Sequence, residues 1–201
     1  MDGREGRLGE AAGPGSRPPA VAEVVAGFTP ENELERAVSH DPVLLEGLRW
    51  GEPRSSHPEG SVGAHVRDLL ATIEDWREPE PRRSELRFLA LLHDSLKYQV
   101  REWLPRTGPN HHAFRARRFA ERYTDDERLL ATLELHDRPY AVWKRMRRTG
   151  QPQDAALDRM LEGIPDPVLF LRFVELDGST EGKNREPIEW LRGELAARKL
   201  I

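Results

Sequence analysis

Leu89-Ala90-Leu91-Leu92-His93-Asp94-Ser95-Leu96-Lys97 is an apolar run that arrives at an imidazole and a carboxylate side by side. The spacing predicts a helix over roughly 84–98. Its hydrophobic N-terminal part fixes the doublet in place and excludes bulk water. On one helix both groups can reach a metal, or one can bind it while the other bridges. A His-Asp pair is common by itself. This one is accompanied by three more histidines and one more aspartate, each at the apolar edge of an expected helix.

Outward from this run, Val62, His65, Val66, Leu69, Leu70, Ile73 and Trp76 recur at three- and four-residue steps, one face of a helix. Gly51 to Gly60 reads as a loop, with Pro53, Ser55, Ser56 and Pro58 inside it. Asn110 is expected to cap a helix reaching Tyr123, and Asp125 or Asp126 to start another that Pro139 kinks or ends. Asp41-Pro42, Asp166-Pro167 and Glu186-Pro187 mark further helix starts. Thr29-Pro30-Glu31 is expected to be where order begins. Residues 1–25, rich in Gly, Pro, Arg and Ala without periodicity, are expected to be a disordered tail. No segment alternates with period two, so the expected fold class is all-α, one compact helical domain over 26–201.

Composition narrows the chemistry. The chain has 201 residues and no cysteine, so any metal must be held by His, Asp or Glu. A formal charge of −4 provides no general drive toward nucleic acid or membrane. No run approaches the roughly 20 apolar residues of a membrane-spanning helix. The N-terminus lacks the order of a secretory signal. A cytoplasmic protein is expected.

Four of the seven histidines fall on expected buried faces. His65 shares the stripe of Val62, Val66 and Leu69, and His93 that of Leu89, Leu92 and Leu96. His136 continues Leu129 and Leu133. His112 lines up with Ala116, Phe119 and Tyr123, whereas its neighbour His111 lines up with Arg115, Arg118 and Arg122. Asp177 ends the stripe of Phe170, Phe173 and Val174. A lone buried histidine is more often a hydrogen-bonded core residue than a ligand. Burying four imidazoles and two carboxylates without a cation would be costly. One or two divalent ions remove that cost, and Mn, Fe, Co, Ni, Zn or Mg all enter as candidates.

The ordered set His65, His93-Asp94, His112, His136, Asp177 resembles the HD-domain superfamily of metal-dependent phosphohydrolases. The stretch His57-Pro58-Glu59-Gly60 through His65 is similar to the opening of many such domains, and His93-Asp94-Ser95-Leu96-Lys97 resembles the His-Asp-x-x-Lys core. The likeness spans about residues 55–185. It implies that His65, His93, Asp94 and Asp177 hold a first metal, with His112 and His136 completing a second site. Two extra histidines point to a binuclear version. The Gly-Tyr-Pro element of cyclic-dinucleotide phosphodiesterases is absent, which argues against that substrate. Asp137 follows His136 and is open as a ligand, a partner of a ligand, or a helix-end charge.

The activity implied is cleavage of a phosphate ester, of a nucleotide or another small phosphorylated molecule, by a metal-bound hydroxide. Asp94 would position that nucleophile, and Lys97 would meet a phosphate oxygen or simply snorkel to solvent. Lys183, Arg185, Arg54 and His57 are further candidates for substrate binding, each weighed against an ordinary solvated charge. Glu59 is expected to cap a helix. The basic run Lys144-Arg145-Met146-Arg147-Arg148 reads as a solvated helix end and not as a nucleic-acid site. Trp103, Trp143 and Trp190 are expected in the core or a pocket wall. Two other readings compete: a two-iron oxygenase of the inositol-oxygenase-like branch, which shares this ligand order, and a catalytically silent nucleotide-binding module.

Overall fold

The computed structural model describes residues 20–53, 60–180 and 182–201, and among them there are helices and turns but no strand. In chain order the helices are α1 (Glu33–Val38), α2 (Pro42–Arg49), α3 (Val62–Trp76), α4 (Arg82–Leu92), α5 (His112–Ala120), α6 (Glu127–Leu135), α7 (Arg138–Thr149), α8 (Asp154–Glu162), α9 (Pro167–Asp177) and α10 (Glu186–Ala197). None of them is long and apolar enough to cross a membrane.

Helix starts follow the sequence signals closely. Asp41, Ser61, Asp126 and Asp166 each accept a hydrogen bond from a backbone N–H of the following turn, satisfying donors that the helix leaves open. Prolines occupy the first turns of α2, α7, α9 and α10, where their missing N–H costs nothing. Three expected starts or stops move. Asn32, not Thr29, caps α1 through Glu35 N. Asn110 is buried in the loop before α5, where its amide joins the backbone of Arg101, Leu104 and Pro105; His111 caps the helix. α4 stops at Leu92, six residues short of the expected end, because Ser95 and Lys97 turn the backbone back on Leu92 and Asp94.

Packing also begins earlier than expected. Val21 and Val25 are fully buried and Val24 packs against the core, so this segment is anchored to the domain and is not a tail; residues 1–19 lie outside the described residues. α8 went unrecognised in the sequence. Its Leu157 and Met160 join Phe170, Leu171, Leu191 and Leu195 in a second apolar cluster under α9 and α10. Trp103 is 79% exposed and belongs to neither core nor pocket wall.

α4 is the central element. Every residue from Glu85 to Leu92 is buried, and the helix packs against α1, α3, α6 and α9. Arg87, buried within it, pairs with buried Glu35 of α1 through Nε–Oε1 at 2.7 Å and Nη2–Oε2 at 3.0 Å. The two-point geometry is what makes a charge pair tolerable there. α2 approaches the chain just beyond α4 so closely that a Cβ on Gly47 would lie 1.7 Å from the Ser95 carbonyl oxygen. This contact sets the position of the Asp94–Lys97 turn. Asp41 ties α2 to the end of α5, accepting from Arg122 Nη2 and the Tyr123 hydroxyl at 2.5 Å each.

Two predictions test this scaffold. Gly47→Ala should cost about 3 kcal/mol or more, since the obstructing atom is backbone and cannot rotate away; urea unfolding measures it. Burial pulls the Asp41 carboxyl upward, but Tyr123, the Val43 amide and Arg122 outweigh it and hold the group below the usual carboxylate range. A depressed folded pKa gives stability that is present above about pH 4 and is lost as pH falls through the lowered value. Asp41→Asn should therefore be about 1 kcal/mol less stable than wild type at pH 7, with the gap shrinking below pH 4.

Candidate metal centre

Six sequence-selected side chains converge from five places in the chain. His65 comes from the first turns of α3, His112 opens α5, and Asp177 is the last residue of α9. His93 and His136 each stand immediately after the final residue of a helix, α4 and α6. The two ends are built alike. His93 Nδ1 donates to the Ala90 carbonyl at 3.0 Å and His136 Nδ1 to the Leu133 carbonyl at 2.8 Å. Each bond commits Nδ1 to the backbone and turns Nε2 toward the centre, the arrangement that prepares an imidazole to bind metal.

The four rings stand in file. Centroids are 5.4 Å apart from His65 to His93, 5.3 Å from His93 to His136 and 5.4 Å from His136 to His112. Phe173 closes the apolar side, edge-on to His93 at 5.4 Å. The carboxylates lie along the Nε2 edge. Asp177 Oδ1 is 3.0 Å from His65 Nε2 and 3.6 Å from His93 Nε2. Asp94 divides its two oxygens: Oδ2 is 3.4 Å from His93 Nε2, while Oδ1 is 3.3 Å from His112 Nε2 and 3.9 Å from His136 Nε2.

Asp137 also belongs here, 3.1 Å from His112 Nε2 and 3.5 Å from His136 Nε2. Its three sequence roles narrow to a residue at the centre. The available signal is a repeat of the doublet, since Leu133-Glu134-Leu135-His136-Asp137 echoes Leu91-Leu92-His93-Asp94. His111 stacks on His112 at 4.7 Å while its own Nδ1 accepts from Ala113 N.

The remaining candidates separate. Lys97 Nζ pairs with Asp94 Oδ2 at the edge of a cavity of about 600 Å³, which Arg49, Trp50, His65 and Asp94 also line. Lys183 lines a second cavity, of about 470 Å³, with His136, Asp137, Tyr140 and Asp177. Arg185 does not reach the centre. It lines a separate groove with Trp76, Arg172 and Arg192, because the backbone turns at α10 immediately after it. Arg54, His57 and Glu59 lie outside the described residues, and Ser61 caps α3. Arg49 and Trp50 were missed because a helix-end Arg-Trp carries no motif.

Electrostatics at the centre is dominated by burial opposed by close opposite charge. Burial disfavours charge on His93, yet Asp94 and Asp177 overcome it and push the imidazole up to about 10. His112 rises to about 9 against burial, through Asp137 and Asp94. His136 is lowered by burial, and the neighbouring His93 and His112 add to the lowering against the opposing pull of Asp137. Asp94 is held well below the carboxylate range, Lys97 and His93 outweighing its burial, and Asp177 likewise through His65 and His93. These carboxylates are ionised at neutral pH and demand positive charge.

The donor set fits a divalent cation. His93 Nε2 and His112 Nε2 are buried and face carboxylate oxygens at 3.1 to 3.6 Å without a well-aligned hydrogen bond among the described residues. Donor atoms of His65, His93 and Asp94, and separately of Asp94, His112 and His136, lie within 4.8 Å of one another. Nitrogen and carboxylate oxygen at that spacing suit first-row ions, while the choice among Zn, Mn, Fe, Co and Ni is not made by ligand type. The C-terminal ends of α4, α6 and α9 meet here together with the N-terminal ends of α5 and α7, so helix dipoles of both signs reach the centre.

The chain matches no protein-family model, no curated protein and no solved structure. The metal assignment is directly measurable. Saturating Mn²⁺ or Co²⁺ should raise the thermal midpoint of metal-stripped protein by about 5 °C or more, a binding contribution of about 2.7 kcal/mol at a hundredfold excess over Kd. Asp177→Asn and His112→Ala should each reduce that rise. An unchanged midpoint with every ion tried would mean that the cluster holds none.

Proposed function

We propose that the chain is a metal-dependent phosphohydrolase on the HD-domain pattern, cleaving a phosphate ester of a nucleotide or another small phosphorylated molecule. The observation that carries this reading is the position of Asp94. Its two oxygens face two different histidine sets, and the same residue lines the larger cavity beside Lys97 and Arg49. His65, His93 and Asp177 would hold one divalent ion, His112 and His136 a second, with Asp94 shared and Asp137 adjoining. A divalent ion held by these residues would lower the pKa of water to near neutrality and would offset charge on a phosphate.

The protein's own groups supply the rest. Asp94, held ionised by Lys97 and His93, acts at neutral pH as an acceptor and not as a proton donor. Burial disfavours the charge on Lys97, but Asp94 raises its pKa, so the ammonium stays charged. Lys97 and Arg49 thus bring two positive charges to the wall where a phosphate would enter, the placement that stabilises charge building on its oxygens. His93, fully buried against Phe173, orients the ligand edge and keeps water off its far side.

Metal-stripped protein given Mn²⁺ or Co²⁺ and a panel of nucleotides and simple phosphate esters should release product at two ions per chain. Asp94→Ala should lose at least about a hundredfold in rate. Iron-dependent oxygen consumption without phosphate release would replace this reading with the oxygenase. Metal-loaded protein that turns over neither class would replace it with a binding module.

A further inference from the structure

The basic run on α7 reads by pattern as a solvated helix end that complements the helix dipole. Of the five cations on this helix, Arg147 and Arg148 lie in the last turn, where that explanation applies. Arg138 opens the helix, where its charge opposes the dipole, and Lys144 and Arg145 stand between. All five are exposed. No Asp or Glu occurs from 138 to 153, in a chain whose net charge is −4.

Arginines on α1, α3, α4, α5, α6, α9 and α10 contact carboxylates within 4 Å. Among the described residues, none of the five α7 cations has such a partner. Lys144 lies over the Tyr140 ring at 5.8 Å and Arg147 over the Trp143 ring at 5.9 Å, contacts that restrain the cations without neutralising them. Lys144 and Arg148 stand four apart and Arg145 and Arg148 three apart, spacings at which like charges repel on a helix surface. A negatively charged partner removes that cost.

We propose that the exposed face of α7 is a docking surface for the phosphate backbone of a double-stranded nucleic acid, bound without regard to its base sequence. Four of the five cations are arginines, whose planar forks meet two phosphate oxygens at once. Arg138 to Arg148 spans about 15 Å of helix. A duplex carries one negative charge per about 1.7 Å of its axis, so several phosphates fall within reach of this span. An extended acidic peptide offers at most one charge per about 3.3 Å, half that density. A bilayer fits less well, because an interfacial helix inserts an apolar face. On α7 that face is already used: Pro139 is buried, Met146 is half-buried and Val142 packs against the second apolar cluster. Contacts to phosphates carry no base information, so affinity should follow charge alone.

The test is fluorescence polarisation of two labelled DNA duplexes of unrelated sequence, titrated with the full chain and no added divalent ion. Both duplexes should bind alike, and the plot of log affinity against log salt should have a slope of about −4, one unit per phosphate neutralised. Arg145→Gln with Arg148→Gln should reduce that slope by about 2 and leave the thermal midpoint unchanged. Arg36→Gln with Arg67→Gln removes the same charge from arginines paired with Glu33 and Asp68, and should leave the slope as it was. No binding at low salt, or an equal loss in both double variants, overturns the proposal. Displacement of the duplex by poly-L-glutamate at equal charge would put an acidic protein in its place. Binding to phosphatidylserine-containing vesicles but to neither duplex would put a membrane there. The outcome is independent of whether the metal centre hydrolyses phosphate esters.

Discussion

Ionised carboxylates packed against buried imidazoles are the constraint on which the rest of this molecule depends. Asp94 and Asp177 approach the same His93 nitrogen, and Asp137 approaches the next two rings in the file. Asp94 is buried, and left without positive charge it would cost several kcal/mol, a large share of the stability of a domain this size, whereas Asp137 and Asp177 keep some contact with solvent. The imidazole nitrogens answer that demand, either by taking protons or by holding a cation, and the two compete for the same lone pairs. A cluster of this composition is therefore poised to exchange protons for metal.

Rigidity around the cluster comes from close backbone approach more than from side-chain bulk. α4 is buried from Glu85 to Leu92, so its final residue cannot shift without moving α1, α3, α6 and α9 with it. Gly47 lets α2 press on the Ser95 carbonyl, which holds the turn carrying Asp94 and Lys97. The bonds from His93 Nδ1 to Ala90 and from His136 Nδ1 to Leu133 then settle which nitrogen of each ring faces inward. Three different packing events thus converge on one electrostatic object.

What surrounds the cluster bears on what can reach it. Two cavities border it, one lined by His65, Asp94, Lys97 and Trp50 and the other by His136, Asp137, Asp177, Lys183 and Tyr140. Lys97 spans the two roles, pairing with Asp94 and standing at the larger opening. Arg185 was a candidate for substrate binding in the sequence, with a solvated loop charge the favoured reading, and the turn into α10 carries it to another groove. Loop charges are poorly placed by sequence pattern, because nothing periodic fixes where a loop points.

Helical periodicity alone determined the all-α class, the buried face of α3 and the inward placement of His65, His112, His136 and Asp177. Local capping chemistry determined the starts of α2, α6 and α9. Both are short-range: a side chain's face follows from its spacing, and a cap follows from a hydrogen bond to its own turn. Tertiary packing decided what these rules cannot reach. It ended α4 at Leu92 because the following turn packs against Gly47, buried Val21 and Val25 in the core, and turned Asn110 from a cap into a loop brace. It also brought Asp137, Trp50, Arg49 and Tyr140 to the centre or its cavities. Contacts between residues far apart in the chain depend on the path of the backbone between them, and no local pattern encodes that path.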